Sequence, residues 1–128
     1  IIRTFKEIIG SGTQTMLTQS EIKKLTPKHI SKAADKGDAA AIKTFEQVGF
    51  YLGVGLAGVV NLLNLEMIVV GGGIARAGDL ILEPARKAMK EYSLEDLGKP
   101  VQIVPAKLGN QAGLMGAAHL ARLEFEKH

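Results

Sequence analysis

The stretch best equipped for chemistry is residues 66–79, which read E-M-I-V-V-G-G-G-I-A-R-A-G-D. The β-branched run Ile68, Val69 and Val70 stops at three consecutive glycines, Gly71, Gly72 and Gly73, and a helical pattern follows Gly78 and Asp79. Strand, glycine turn, then helix is how α/β proteins make room for a nucleotide. Glycine brings bare backbone close to a ligand and accepts positive φ. The helix start supplies unpaired N–H groups and partial positive charge. Two common phosphate loops do not fit. In a Gly-x-Gly-x-x-Gly fingerprint Gly71 and Gly73 would be the first two glycines, but Arg76 takes the third position. A Gly-Lys-Ser/Thr ending is also missing. The glycines alone are equally consistent with a tight turn that binds nothing. Arg76 could reach a phosphate or simply sit on an exposed loop, and Asp79 reads as a helix N-cap.

Little else in the chain could catalyse. His29, His119 and His128 have no second ligand at metal spacing, so no metal site is expected. No Asp or Glu has an evident acid–base partner, and no catalytic residue is assigned. Asp35 and Asp38 flank a helix break and read as caps. The absence of cysteine excludes disulfides and thiolate metal sites here and fits a reducing, cytoplasmic setting. The net charge of +3 is dispersed; its densest patch is residues 23–43, with six lysines against Asp35 and Asp38. Lys28, Lys32 and Lys36 share a helical face. Without interleaved arginine or aromatics, that face reads as solvated rather than nucleic-acid-binding.

The positioning elements are mostly helices. Residues 1–9 suit a short amphipathic helix. Residues 13–25 are polar and irregular, with Ser20 a possible cap. Thr26-Pro27 starts a helix that runs to Lys36 and is closed by Gly37. Asp38 caps a long helix over Ala39–Leu63, with Ile42, Phe45, Val48, Leu52, Leu56, Val59 and Leu63 at three- and four-residue steps. Nineteen uncharged residues lie between Glu46 and Glu66, which touches the length of a membrane span. Gly49, Gly53, Gly55, Gly58, Asn61 and Asn64 argue instead for a buried helix that lets other backbones approach closely. A helix is expected over residues 79–92, with Pro84 awkward inside it. A loop is expected at 93–100, then a strand at 101–104 and a last helix at 111–126. Asn110 should cap this helix, and Gly113 and Gly116 lie on its first turns.

Strand, helix and strand in this order make a parallel βαβ unit. Two strands alone do not make a stable parallel sheet. More strands are expected from polypeptide beyond these 128 residues, or from a second copy. The opening Ile1-Ile2-Arg3, without methionine, also suggests a piece of something longer.

Three stretches resemble the ROK family of repressors, open reading frames and kinases, and most closely its bacterial glucokinases. They are Y-L-G-V-G-L-A-G-V-V-N-L-L-N at 51–64, I-V-V-G-G-G-I-A-R-A-G-D-L-I-L-E-P at 68–84 and V-P-A-K-L-G-N-Q-A-G-L-M-G-A-A at 104–118. The resemblance implies an α/β fold, part of a ribonuclease-H-like domain of the actin/hexokinase ATPase type. Residues 1–128 would be the adenosine-side portion of a C-terminal domain. ATP with Mg2+ would be the cofactor and a hexose the partner, in a homodimer that binds neither nucleic acid nor membrane. Gly71, Gly72 and Gly73 would lie against the adenosine and α-phosphate, with Gly113 on the opposing wall. The phosphate loop, catalytic Asp, sugar-binding residues and zinc site would all precede this chain. Alternatively, the parent would be a sugar-responsive repressor. Two departures stand out: Asn64-Leu65 replaces the family's Asn-Pro, and Asn110-Gln111 replaces a frequent acidic pair.

Overall fold

The structure is a computed structural model that describes residues 1–75 and 77–126. Arg76 and His128 therefore lie outside the described residues. The chain begins with helix α1 (Ile2–Gly10), which buries Phe5 and Ile8. The polar stretch after it contains one short helix, α2 (Gln19–Lys23). Its cap is Thr18 rather than Ser20. Thr18 accepts from the Glu21 N–H while the Glu21 carboxylate accepts from the Thr18 N–H, a reciprocal capping box. Helix α3 (Pro27–Asp35) starts as expected, with the Thr26 hydroxyl accepting from the His29 N–H and Pro27 in the first turn.

Helix α4 (Ala39–Leu63) is the element most of the others pack on, contacting α1, α3 and two of the later helices. Its N-cap Asp38 is 1% exposed and ties two segments together. One carboxylate oxygen accepts from the Ala41 N–H at 2.8 Å; the other accepts from the Thr15 hydroxyl at 2.7 Å and the Met16 N–H. Burial pushes the Asp38 pKa up, but the Ala41, Met16 and Thr15 donors outweigh it and hold the carboxyl below the ordinary aspartate range. At the far end Asn64 closes α4 in the left-handed region at φ 49°. Asparagine tolerates that conformation, so the turn into the strand closes without a proline at position 65.

Of the large apolar residues that periodicity selects on α4, Phe45 is buried and Ile42, Val48, Leu52 and Leu56 pack half-buried against the core. Val59 and Leu63 are exposed, and the innermost stripe is Ala40, Ala41, Thr44, Phe45, Gly49, Gly53, Ala57 and Val60. The reason is the neighbour. Helix α6 (Asp79–Tyr92) packs so closely that only small residues fit between the two. A Cβ at Gly49 would lie 2.6 Å from the Ile81 carbonyl oxygen, and one at Gly53 would lie 2.7 Å from the Ala88 Cβ. Gly55 and Gly58 face open space, so close approach explains only half of the glycines. By length and composition α4 could also cross a membrane; here its small-residue stripe is covered by α6.

Strand β1 (Met67–Val70) pairs in parallel with β2 (Gln102–Pro105), in the register Met67↔Gln102 to Val70↔Pro105. Ile68, Val70 and Ile103 pack toward the helical core, while Met67 and Val69 are exposed on the opposite face. Pro84 lies inside α6, so the Leu80 carbonyl loses its usual N–H partner and the helix still begins at Asp79. Asp79 is not a cap: the N-cap is Gly78, and the Asp79 carboxylate accepts from Arg86 at 3.0 Å. Two expected loops contain short helices, α5 (Gly72–Ala75) and α7 (Glu95–Gly98). A 3-10 turn (Gly109–Gln111) leads into α8 (Ala112–Phe125), whose N-cap position is Gln111 rather than Asn110. Helix α8 buries none of its described residues, and Leu114 and Phe125 are 75% and 86% exposed.

Candidate functional site

The glycine turn sits at the C-terminal end of β1, where open parallel sheets carry their ligands. The ladder continues one residue past β2, the Ala106 N–H donating to the Val70 carbonyl at 2.8 Å. A Cβ at Gly71 would meet only the Ala106 Cβ, at 3.7 Å. Gly72 adopts φ +72°, a conformation that strains other residues. Neither Gly72 nor Gly73 has an atom within 4 Å of where a Cβ would stand, and all three glycines are exposed. No described side chain fills the space beside the turn.

Of the three glycines Gly73 borders a cleft of about 480 Å³, and Gly71 and Gly72 are not among its described lining residues; the cleft's size suits a small organic ligand. Gly73 and Ala77 line one side, and Thr26, Pro27, Lys28, Ser31 and Lys32 of the α3 segment line the other. Phe45 and Ile1 complete the described lining. The wall facing the turn is therefore α3, a contribution that the sequence does not reveal. The four-residue spacing of Lys28 and Lys32 suggests a solvated face; both are exposed, and their face also borders the cleft. No carboxylate is among the described lining residues. The cleft thus offers open backbone, two ammonium groups and two hydroxyls, which suits an anion bearing an apolar ring.

Gly113 and Gly116 do not line this cleft. Both are exposed on α8 with open space around them, so tight helix packing does not explain either. The 3-10 turn before α8 does pack against α5, which keeps the start of α8 near the glycine turn. Two further cavities are remote from the turn. One, about 470 Å³, lies between Phe50 of α4 and Pro84 of α6; the other, about 290 Å³, lies beside Arg86 and β2. Among the described residues no cluster of His, Asp and Glu could hold a metal ion. Without a carboxylate at the cleft, these residues offer Mg2+ no ligand set.

Arg86 closes one edge of the sheet. Gln102 and Ala106 donate to β1, so Ile103 presents its carbonyl on the outer edge of β2. That carbonyl accepts from Arg86 Nε at 3.0 Å, and Arg86 Nη1 donates to both Asp79 and Glu83. An edge occupied in this way is poorly placed to take another strand. Along β1, the edge away from β2 pairs with no other strand among the described residues.

A strand ending in an open glycine turn, a helix returning to a parallel neighbour and a long helix beneath both are parts of the actin/hexokinase-like ATPase fold. Comparison with known proteins bears this out. The chain matches the ROK family over residues 7–124 and belongs to that family. It is 42% identical over 96 residues to the glucokinase of Streptomyces coelicolor, an alignment covering 74% of this chain and 30% of that protein. A ROK family glucokinase from Streptomyces griseus, solved in complex with glucose and AMPPNP, superposes with a TM-score of 0.81 at 33% identity. That match covers 95% of this chain and 41% of the other. The xylose repressor of Bacillus subtilis is 26% identical over 102 residues, covering 80% of this chain and 27% of the repressor. The chain thus spans under a third of the length of these curated relatives.

Proposed function

We propose that this chain is the adenosine-side portion of the C-terminal domain of an ATP-dependent sugar kinase, one that moves the γ-phosphate to a hexose hydroxyl, most simply the 6-hydroxyl of glucose. The observation that carries this is the unobstructed turn at residues 71–73, whose Gly73 borders a cleft with two lysines and no described carboxylate. The Streptomyces griseus glucokinase, similar over nearly the whole chain, was solved with glucose and an ATP analogue. The backbone at Gly71, Gly72 and Gly73 holds the adenosine and α-phosphate. Gly113, two residues beyond the 3-10 turn, gives the purine a contact without a side chain. ATP brings its own phosphoryl group and Mg2+; the catalytic base, phosphate loop, sugar ligands and zinc site belong to the rest of the parent protein. Phosphoryl transfer depends on positioning and charge stabilisation; with the catalytic base and sugar ligands elsewhere, this chain alone transfers nothing. The remaining strands join at the open edge of β1, because Arg86 occupies the edge of β2. The parent works in the cytoplasm as a homodimer.

The xylose repressor similarity supports a second reading, a sugar-responsive transcriptional repressor built on the same domain. There the sugar is an inducer and the cleft no longer has a catalytic role. Saturation-transfer NMR with AMPPNP separates the two. A nucleotide cleft gives purine signals that vanish in Gly73→Val, whose side chain would enter the cleft. Purine signals that persist unchanged in the variant would place the nucleotide elsewhere.

A further inference from the structure

The lysines of α3 extend the nucleotide reading of the cleft, and a role for them rests on that reading. Lys28, Lys32 and Lys36 are spaced four apart on one helix, yet their surroundings differ. Lys28 and Lys32 line the cleft opposite Gly73. Neither makes an ion pair with a described residue. Lys36 is absent from the lining and lies near Glu21, whose pKa it helps to lower after the larger effect of the Thr18 hydrogen bonds. Two ammonium groups on one wall of a small cleft, with Ser31 between them and no described carboxylate on either wall, form a surface rich in donors. Such a surface discriminates by charge: it adds affinity for an anion and little for a neutral nucleoside.

We propose that Lys28 and Lys32 are the phosphate-contacting residues of the cleft, holding the polyphosphate of a bound nucleotide across from the backbone of Gly73. The base and ribose then rest on the glycine turn, and the two walls divide the recognition. Ammonium groups on flexible stems reach a phosphate without needing a fixed fork geometry. The contribution is electrostatic and partly exposed, so it falls as salt rises.

The test is a titration of the 15N-labelled chain with ATP and, separately, with adenosine, followed by amide chemical shifts. Three proteins are compared: the unaltered chain, the Lys28→Ala/Lys32→Ala pair, and Lys36→Ala as a control on the same helix. In the unaltered chain ATP should bind more tightly than adenosine and move amides on both walls, residues 26–32 and 71–77. The double variant should lose about tenfold in ATP affinity, keep its adenosine affinity, and regain ATP binding when both positions carry arginine. Lys36→Ala should behave as the unaltered chain. If ATP gains nothing over adenosine, or the double variant matches Lys36→Ala, the assignment of these lysines is wrong while the nucleotide reading stands. If neither ligand moves residues 71–73, both fail.

Discussion

Gly53 and Gly55 stand two residues and about 3 Å of rise apart on α4, but they face different ways and should respond differently to the same substitution. At Gly53 an added methyl would lie 2.7 Å from the Ala88 Cβ and 2.9 Å from the Met89 nitrogen, and it would press on the Ala85 carbonyl. Much of this is helix backbone, so relief requires α6 to move. Overpacking of this kind costs about 1–3 kcal/mol, partly offset by about 1 kcal/mol of helix propensity gained over glycine. At Gly55 nothing lies within 4 Å, and only the propensity gain of about 0.5–1 kcal/mol remains. Gly53→Ala should therefore be neutral to destabilised by about 2 kcal/mol, and Gly55→Ala stabilised. Urea unfolding followed by circular dichroism at a single wavelength reads both as shifts in midpoint. If Gly53→Ala proves as stable as Gly55→Ala, the close backbone approach between α4 and α6 is wrong.

Other consequences arise from single contacts. Asp38→Ala removes a cap and the tie to Thr15 and Met16, and should cost about 1–2 kcal/mol; Asp38→Asn should recover part of it. Because the folded Asp38 pKa is depressed, its stabilisation is complete above the unfolded value of about 3.9 and disappears as pH falls through the lower folded value. Unfolding midpoints measured between about pH 5 and pH 2 should flatten in Asp38→Asn relative to the parent chain. Arg86→Leu uncovers the Ile103 carbonyl on the β2 edge and should increase self-association in sedimentation velocity, whereas Arg3→Leu, which breaks an exposed pair with Glu7, should not. Asn64→Val places a β-branched residue at φ 49° and should destabilise by about 1–2 kcal/mol, with Asn64→Gly tolerated.

Much of this fold is legible in the sequence where one residue type has one physical use. Asp38 and Thr26 mark helix starts, Gly37 and Asn64 fall at helix ends, and the β-branched pairs flanking α6 give the parallel unit. The glycine turn is visible for the same reason, three glycines placed directly after a β-branched strand. What is not legible depends on neighbours. Periodicity finds Phe45 and the half-buried Ile42, Val48, Leu52 and Leu56 on α4, but not the glycines and alanines that the closeness of α6 puts innermost. Asp79 looks like a cap because its pairing with Arg86, seven residues on, is tertiary. Lys28 and Lys32 read as solvated and are exposed, but that they border a cleft is not legible, because the turn opposite lies more than forty residues away in sequence.

The most direct measurement is the affinity and location of AMPPNP on this chain, mapped by amide chemical shifts. A helix start contributes about 0.3–1 kcal/mol toward holding an anion, whereas even millimolar binding takes about 4 kcal/mol. The account predicts millimolar or weaker binding, with the affected amides centred on residues 71–73 and the facing wall of α3. Micromolar affinity, or shifts centred on the groove between Phe50 and Pro84 instead, would contradict it.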